Sequence, residues 1–427
     1  MSEDNATKYR EFCQFRRQIR GSSEYLIVGI DVAKTPHHAF FGTARGQSLL
    51  RRLIFENSCS GFEKLMERVS QLQTGHGLGK VVFALEPTGN YHKPLARWLQ
   101  DQGQLLVLVS NHAISENRET LDGRWDKNDT KDSANIADLV SQGKCLFFEE
   151  PDEDLVELRT FLSLRKQLKK QAHSVRMQIR NGLVAKHFPE LDQHWGTCMT
   201  ENLAIVRWCL DPRMIVSLPF EAFVQRVTTK DRGLRQVKRL RKIHELSATS
   251  IGLPVNAAAR FEAQSLVERF KDLEDRIKQT ESKIQIVSRR FSAYSRLRTI
   301  PGFGPYVSSQ VLARIGDPNR FQGRNQVIRL AGFDLNAKRS GKRSQSAVPV
   351  ISKRGNSDLR YALFQAAKIA SYHNADFRAL FTRYLAGRQK ERGITTKMRV
   401  KLAAKLLVIA WTLMRTDTDF NPSKLVV

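Results

Sequence analysis

The chain has 427 residues, of which 41% are hydrophobic, so it is long enough for two or three domains with sizeable cores. Its 70 Lys and Arg residues outnumber 43 Asp and Glu residues, and the net charge of +27 predicts a polyanionic partner, by default nucleic acid. The sequence shows no apolar run of about 18 residues and no signal peptide, which argues against a membrane protein and favours a cytoplasmic, nucleoid-associated one.

The first part of the chain predicts an α/β domain. Residues 1–24 are polar and are expected to form a loose N-terminal arm. Residues 25–148 then show three strand patterns followed by alternating helices and strands, an order that fits a ribonuclease-H-like domain. The predicted strands are Leu26–Val32, His38–Thr43, Leu49–Phe55, Val81–Leu85 and Leu105–Val109, and the predicted helices are Gly61–Gln73, His92–Gln102 and Asp132–Ser141.

The second part, residues 149–296, has a helical pattern. Apolar residues recur every three or four positions from Leu155 to Leu183 and again from Leu266 to Phe291. Two long amphipathic helices of this kind can pack as an antiparallel coiled coil. The stretch between them, about 190–260, is ambiguous and carries a basic run at Arg235–Lys242.

The third part, residues 297–427, holds most of the excess positive charge, with 24 Lys or Arg residues against 7 Asp or Glu residues. Its pattern is helical, apart from a loop-like stretch rich in Ser, Gly and basic residues at Gly332–Val350. The predicted helices are Tyr306–Ile315, Asn325–Ala331, Ser357–Tyr372 and Lys397–Met414.

Two carboxylates follow apolar strands. Asp31 ends the run Leu26-Ile-Val-Gly-Ile, and Glu86 follows Lys80-Val-Val-Phe-Ala-Leu. Either residue alone is best interpreted as a turn residue or a helix cap. In a ribonuclease-H-like sheet, however, the two strands can be neighbours, and two adjacent negative charges need a compensating cation.

Two further carboxylates, Asp129 and Asp132, stand three positions apart, which puts them on one face near the start of a predicted helix. Asp129 could simply be the N-cap, and Asp132 an acid favoured by the helix dipole. Together with Asp31 and Glu86 they form a set of oxygen ligands suited to two Mg²⁺ ions, and two metals about 3.5–4 Å apart are typical of phosphoryl transfer.

Six segments together resemble a known family. The motifs GIDVAK, LEPTGNYH and DKNDTKDSANIADL surround the four carboxylates. The C-terminal motifs are LRTIPGFGPYVSSQVLARIGD, RFQGRNQVIRLAGFDLNAKRSGKRS and VISKRGNSDLRYALFQAA. In this order they resemble the insertion-sequence transposases of the one-ten group, called DEDD transposases, which have a RuvC-like N-terminal domain and a C-terminal transposase domain. The related DNA invertases share these signatures.

The resemblance implies a serine nucleophile in the C-terminal domain that attacks DNA covalently. The serine that matches the family's Ser-Gly motif is Ser340, with Ser344 and Ser346 as close alternatives. Four cations surround it and are candidate nucleic-acid contacts: Lys338, Arg339, Lys342 and Arg343. Nothing nearby in the sequence supplies a base, so the resemblance implies that the carboxylate site contributes to the reaction.

Two further segments are candidate phosphate contacts. Gly302 and Gly304 lie in a turn before an apolar helix, which resembles a helix-hairpin-helix or, equally by pattern, is an ordinary Pro-Gly turn. Lys353 and Arg354 precede another predicted helix and would give salt-dependent binding without sequence readout.

The resemblance also implies partners that the sequence does not show. These are double-stranded donor and target DNA, a structured guide RNA from the element's noncoding end, and further copies of the chain in a homo-oligomer, a dimer or a tetramer. The competing hypotheses are a metal-dependent RuvC-like nuclease or junction resolvase that uses only the carboxylates, a DNA invertase, and a nucleic-acid-binding protein with a vestigial site.

Overall fold

The structure is a computed structural model that describes residues 3–87, 89–122, 129–148, 152–196, 199–228, 233–336 and 350–425. It divides into two compact units, residues 1–150 and residues 151–427. The finer division of the chain into four parts stays a prediction. Within the described ranges, no helix has both the length and the hydrophobicity needed to cross a membrane.

The first unit is a mixed α/β domain. Its strands are β1 (Tyr25–Asp31), β2 (Pro36–Thr43), β3 (Ser48–Glu56), β4 (Lys80–Leu85), β5 (Leu106–Leu108) and β6 (Leu146–Phe147), and its helices are α1 (Glu3–Gln18), α2 (Cys59–His76), α3 (His92–Asp101), α4 (Asn111–Asp122) and α5 (Asp129–Ser141). The described strands form one sheet in the order β3-β2-β1-β4-β5-β6. Strand β1 runs antiparallel to β2 and parallel to β4, which in turn is parallel to β5.

Helices cover both faces of this sheet. Because side chains alternate along a strand, Leu26 and Val28 of β1 pack in one core with residues of α2 and α3, such as Leu65. Ile27 belongs to the opposite core, together with residues of α1, α4 and α5 such as Ile136. The sheet is therefore buried on both sides, which explains the almost continuous apolar sequence of β1 and β4.

The N-terminal segment is not the loose arm that its polar composition predicted. Residues Glu3–Gln18 form α1, and Phe12, Phe15 and Ile19 are buried in the core beneath the sheet. Arg16 also donates a 2.9 Å hydrogen bond to the carbonyl oxygen of Gly143. Three apolar side chains at helical spacing are enough to anchor a segment whose other residues are mostly charged.

The second unit is mostly helical. Its main helices are α6 (Glu153–Gln178), α7 (Ala185–His187), α8 (Met199–Cys209), α9 (Pro212–Val216), α10 (Phe220–Val227), α11 (Leu234–Ala248), α12 (Ala257–Ser288), α13 (Ser292–Arg298), α14 (Pro305–Ile315), α15 (Arg324–Leu330), α16 (Ser357–His373), α17 (Ala375–Leu385) and α18 (Ile394–Thr416). A π-helical turn at Ile179–Val184 links α6 to α7, and short 3₁₀ turns occupy Pro189–His194, Pro318–Arg320 and Pro422–Leu425. Two short strands, β7 (Leu335–Asn336) and β8 (Val350–Ile351), pair antiparallel. An α/β unit followed by a mostly helical remainder confirms the predicted fold class at this level.

Helices α6 and α12 pack against each other along the second unit. Arg290, just after α12, lies 2.6 Å from Asp154 near the start of α6. Arg165, further along α6, lies 2.7 Å from Glu281. The start of one helix is thus beside the end of the other, so the two run antiparallel.

Each end of this helix pair belongs to a different core. The start of α6 and the end of α12 share a core with the helices that follow Ser288. The end of α6 and the first half of α12 share another core with residues 179–256, which we call the helical insert. The stretch whose pattern was ambiguous in the sequence is therefore a folded part of the second unit.

Candidate active site

The strand register brings Asp31 and Glu86 to neighbouring positions. Ile30 of β1 is paired with Leu85, the last residue of the parallel strand β4, and the two carboxylates directly follow this pair in the sequence. Adjacent strands lie about 4.8 Å apart, so two carboxylates start from the same edge of the sheet. Both are half-buried, and alternation points them to the side of the sheet where α5 packs.

A glycine lets α5 approach β1 closely. A methyl group on Gly29 would overlap the carbonyl oxygen of Ser133 and lie 2.8 Å from the backbone nitrogen of Ala137. The first turns of α5, which begins at Asp129, are thereby pressed against the strand that ends in Asp31. The side chain of Asp129 lies outside the described part of the structure.

Asp132 is engaged by an arginine. Its side chain is only 1% exposed, and its Oδ1 accepts hydrogen bonds from Nε and Nη2 of Arg118 on α4, at 2.9 and 2.7 Å. A buried carboxylate needs such a partner, because losing its hydration is costly. Arg118 therefore neutralises one of the four predicted carboxylates.

Amide hydrogen bonds fix α4 beside α5. The side chain of Asn117 donates to Asn135 and to Asp138, both at 2.8 Å, and Asn135 donates to the carbonyl oxygen of Ile114 at 2.8 Å. Asp138 also accepts a hydrogen bond from Gln142. This network orients the helix that carries Arg118, and it gives Asp138 a structural role.

The carboxylates supply the hard oxygen donors that Mg²⁺ prefers. Among the described side chains, however, no three Asp, Glu, His or Cys groups converge closely enough to hold a metal ion. The hydrogen bonds from Arg118 direct the carboxylate of Asp132 toward a guanidinium. Asp31 and Glu86 are the two predicted ligands that the strand register places side by side.

The adjacent histidines in β2 have different surroundings. His37 is fully buried between the rings of Phe55 and Phe62, and this burial lowers the pKa of its imidazole. His38 is paired with Asp31 across the β1–β2 ladder and so lies on the same face as that carboxylate. The two imidazoles therefore face opposite sides of the sheet.

The predicted serine segment falls outside the described residues. Ser340, Ser344 and Ser346 lie between β7 and β8, as do Lys338, Arg339, Lys342 and Arg343. On either side of this segment, Leu335 of β7 is paired with Ile351 of β8.

Lys353 and Arg354 are exposed directly after β8. Lys353 has a φ of 57°, which is unusual for a residue other than glycine. The backbone around it is closely packed, because a Cβ on Gly332 would lie 2.7 Å from the nitrogen of Gly355. The side chain of Asn356 then caps α16 by accepting a hydrogen bond from the nitrogen of Leu359.

The two glycines of the predicted turn have different surroundings. Gly302 has a φ of 87°, and a Cβ there would lie 2.5 Å from the carbonyl oxygen of Ala366 in α16. Its lack of a side chain thus serves internal packing. Gly304 directly precedes α14, and the nearest atom to a Cβ there would be Nη1 of Arg298 at 4.0 Å, so internal packing does not require a glycine at this position.

Comparison with known proteins agrees with this arrangement. A model of DEDD transposases of the IS110 type, described as a transposase, matches residues 28–189. A second, described as the transposase IS116/IS110/IS902 family, matches residues 294–382, and together the two matches span more than half of the chain. The chain belongs to the IS110 family of transposases.

Some relatives of this transposase span nearly its whole length, and others match only part of it. The 44.8 kDa protein of insertion element IS116 from Streptomyces clavuligerus is 22% identical over 405 residues, which cover 93% of this chain and 96% of that protein. The transposase for insertion sequence element IS1328 from Yersinia enterocolitica is 22% identical over 398 residues, covering 92% and 98%. The pilin gene-inverting protein of Moraxella bovis is 31% identical over 130 residues, covering 30% and 38%.

Family membership makes the chain an enzyme of the DNA transposase and recombinase class, with DNA as its substrate. The structure adds to the candidate site one residue that the sequence did not reveal, Arg118, through its contact with Asp132. Its position between Glu116 and Glu119 looks like an ordinary exposed helix face in the sequence. The sequence gives no sign of this contact with Asp132, because the contact depends on how α4 packs on α5.

Proposed function

We propose that this transposase mobilises an insertion sequence by Mg²⁺-dependent cleavage and exchange of DNA strands. Asp31, Glu86, Asp129 and Asp132 would hold the metal, which when bound stabilises the negative charge that develops on the reacting phosphate. The observation that supports this most directly is the register of β1 and β4, because it places the two carboxylates that follow these strands side by side at one sheet edge.

The protein's own residues must prepare this site. Asp132 would exchange the guanidinium of Arg118 for the cation, and α5 would keep its carboxylates near β1 because Gly29 permits the close approach. Arg118, released from Asp132 and about one-fifth exposed, would then be available to a DNA phosphate.

Ser340 is the proposed nucleophile. Its hydroxyl oxygen would bond to the phosphorus of the scissile phosphate as the bond from phosphorus to the leaving sugar oxygen breaks. The serine proton would end on that leaving oxygen, and the reverse reaction on another strand would complete the exchange. Lys338, Arg339, Lys342 and Arg343, together with Lys353, Arg354 and the backbone at Gly302 and Gly304, would hold the DNA backbone.

The proposed assembly follows the family. The antiparallel helices α6 and α12 would act as a coiled coil that contributes to a homo-oligomer, a dimer or a tetramer, in the bacterial cytoplasm. A structured noncoding RNA of the element would guide the enzyme to donor and target DNA. The net charge of +27 supports binding to RNA as well as to DNA.

Serine and carboxylate variants test this proposal. We expect Ser340→Ala to abolish both strand exchange and the covalent protein–DNA adduct, whereas Ser344→Ala and Ser346→Ala keep both. Asp31→Asn should bind DNA normally and fail to cleave it. Full exchange by Ser340→Ala would contradict the covalent step, and full cleavage by Asp31→Asn would contradict the carboxylate site.

A DNA invertase is the second candidate, favoured by the similarity to the pilin gene-inverting protein over 130 residues. An invertase would recombine two sites on one molecule, whereas a transposase would join an element to a separate target. Sequencing the junctions formed in a plasmid assay separates the two. A metal-dependent nuclease or junction resolvase would instead give cleaved products with no adduct.

A further inference from the structure

Helix α11 presents a basic face to solvent. The run Arg235–Lys242 lies on this helix, outside both stretches matched by the family models. Four of its cations are exposed: Arg235, Lys238, Arg241 and Lys242. Their spacing of three, six and seven residues places them on one side of the helix, over a length of about 10 Å. We call these four residues the α11 basic face.

The opposite side of α11 is anchored in the helical insert. Leu240 and Ile243 are fully buried, and Gln236 donates a 2.8 Å hydrogen bond to the buried carboxylate of Glu201. Arg239 points the same way, with its Nη2 3.4 Å from Glu201. The fifth cation, Arg239, is thus paired with a carboxylate inside the fold. The anchored side of the helix fixes the direction in which the other four cations point.

The α11 basic face has little internal compensation. Among the described residues, Arg235, Lys238 and Arg241 have no carboxylate within the 4 Å that defines an ion pair. Lys242 lies 3.6 Å from Glu245, but both side chains are more than half exposed, so this contact contributes little stability. Arg241 stacks 4.5 Å from the ring centre of Phe220, which holds its guanidinium in one orientation.

Helix α12 of the same unit has no such excess of positive charge. Over its 32 residues, α12 has six basic and six acidic side chains, whereas α11 has five basic side chains and only Glu245 as an acid. A soluble helix needs no such excess to stay hydrated. An ordered row of uncompensated cations is complementary to a phosphate backbone.

We propose that the α11 basic face binds the backbone of double-stranded DNA, as a contact outside the catalytic machinery. It would add affinity and orient the duplex without reading bases, because these side chains reach phosphates. The inference rests on the DNA substrate of the family but not on the metal site or on Ser340. A loss of DNA binding in an α11 variant and a loss of cleavage in an Asp31 variant would therefore be separate results.

The test is nucleic-acid binding by the full chain, measured by fluorescence anisotropy over a series of salt concentrations. The labelled probes are a DNA duplex, single-stranded DNA and double-stranded RNA. The variant removes three cations, Arg235→Ala, Lys238→Ala and Lys242→Ala. The control removes three exposed cations from α12, Arg269→Ala, Lys271→Ala and Lys283→Ala, so that the net charge of the two proteins is equal. We expect the α11 variant to lose at least about tenfold in affinity and its log–log salt slope to fall by about 2.7, with the control within about twofold of the parent.

Three outcomes would overturn the proposal: an unchanged α11 variant, an equal loss in the α12 control, or a loss confined to single-stranded DNA or double-stranded RNA. Thermal unfolding of both variants shows whether they are folded. If the triple variant unfolds, the single variant Lys238→Gln takes its place, and its salt slope should fall by about 0.9. An unchanged slope in that variant contradicts the proposal equally.

Discussion

Gly29 in the centre of the sheet lies directly beneath Ser133 of α5, with no room for a methyl group between the strand and the helix backbone. This contact links two segments that are a hundred residues apart in the chain. It sets the distance between the strand that ends in Asp31 and the helix that carries Asp132, so the site depends on a residue that has no side chain.

The first prediction is that Gly29→Ala disrupts both folding and cleavage. The added methyl group must push α5 away from β1, which should lower the free energy of unfolding of the first unit by about 1–3 kcal/mol. Urea denaturation measures this loss, and DNA cleavage by the folded fraction should also fall.

The control for this prediction is Gly75→Ala. Gly75 lies in α2, and a methyl group added there would have no atom within 4 Å, so alanine should stabilise that helix by about 0.5–1 kcal/mol. If Gly29→Ala proves as stable as the parent, the close approach of α5 does not constrain the site.

The second prediction concerns competition between Arg118 and the metal for Asp132. Arg118→Gln should destabilise the metal-free protein by about 1–3 kcal/mol, because it leaves a buried carboxylate without its hydrogen-bonded cation. Metal binding should raise the melting temperature. In Arg118→Gln this rise should occur at a lower concentration of Mg²⁺ or Mn²⁺, since no guanidinium has to be displaced from Asp132.

Asp138→Asn is the matched carboxylate control for the metal titration. Asp138 accepts hydrogen bonds from Asn117 and Gln142, so its loss should affect stability. The metal midpoint, which is the metal concentration at half of the rise in melting temperature, should stay unchanged. A metal midpoint for Arg118→Gln equal to or above that of the parent would argue against Asp132 as a ligand.

The third prediction is an acid sensitivity that arises from His37. Burial lowers the pKa of its imidazole below the ordinary value of 6.5. As the pH falls below about 6.5, the unfolded chain gains a proton that the folded chain still excludes, so the free energy of unfolding decreases through that window and is highest above it.

His37→Gln should therefore flatten the dependence of unfolding free energy on pH between about 7.5 and 5.5. Urea denaturation of the parent, of this variant and of the exposed-site control His76→Gln provides the comparison. The slope with pH is the relevant quantity, since a buried substitution also changes absolute stability. An unchanged slope in His37→Gln would assign the acid sensitivity to other groups.

The fourth prediction separates charge from backbone strain at Lys353. Its φ of 57° suits glycine, so Lys353→Gly should be more stable than Lys353→Ala by about 1 kcal/mol. Both variants lose the same positive charge, and their DNA affinity should fall equally. If the glycine variant binds DNA as the parent does, Lys353 makes no phosphate contact.

Much of the first unit could be predicted from the sequence alone. The apolar runs of β1 and β4 and the amphipathic pattern of α2 and α3 are local properties, and the predicted bounds differ from the observed ones by three residues or fewer. The carboxylates at Asp31 and Glu86 could be found because each ends such a run. Motif order along the chain was also sufficient to identify the transposase family.

What only the tertiary structure decided depends on contacts between distant segments. Burial of Phe12 and Phe15 turned an apparently loose arm into a packed helix, and Arg118 became part of the site because α4 lies on α5. Helix α11 has five cations that look alike in the sequence. In the folded chain, Arg239 is held inside by Glu201 and the other four face solvent. A sequence specifies charge and periodicity residue by residue, but the partner of a charge is set only when the chain has folded.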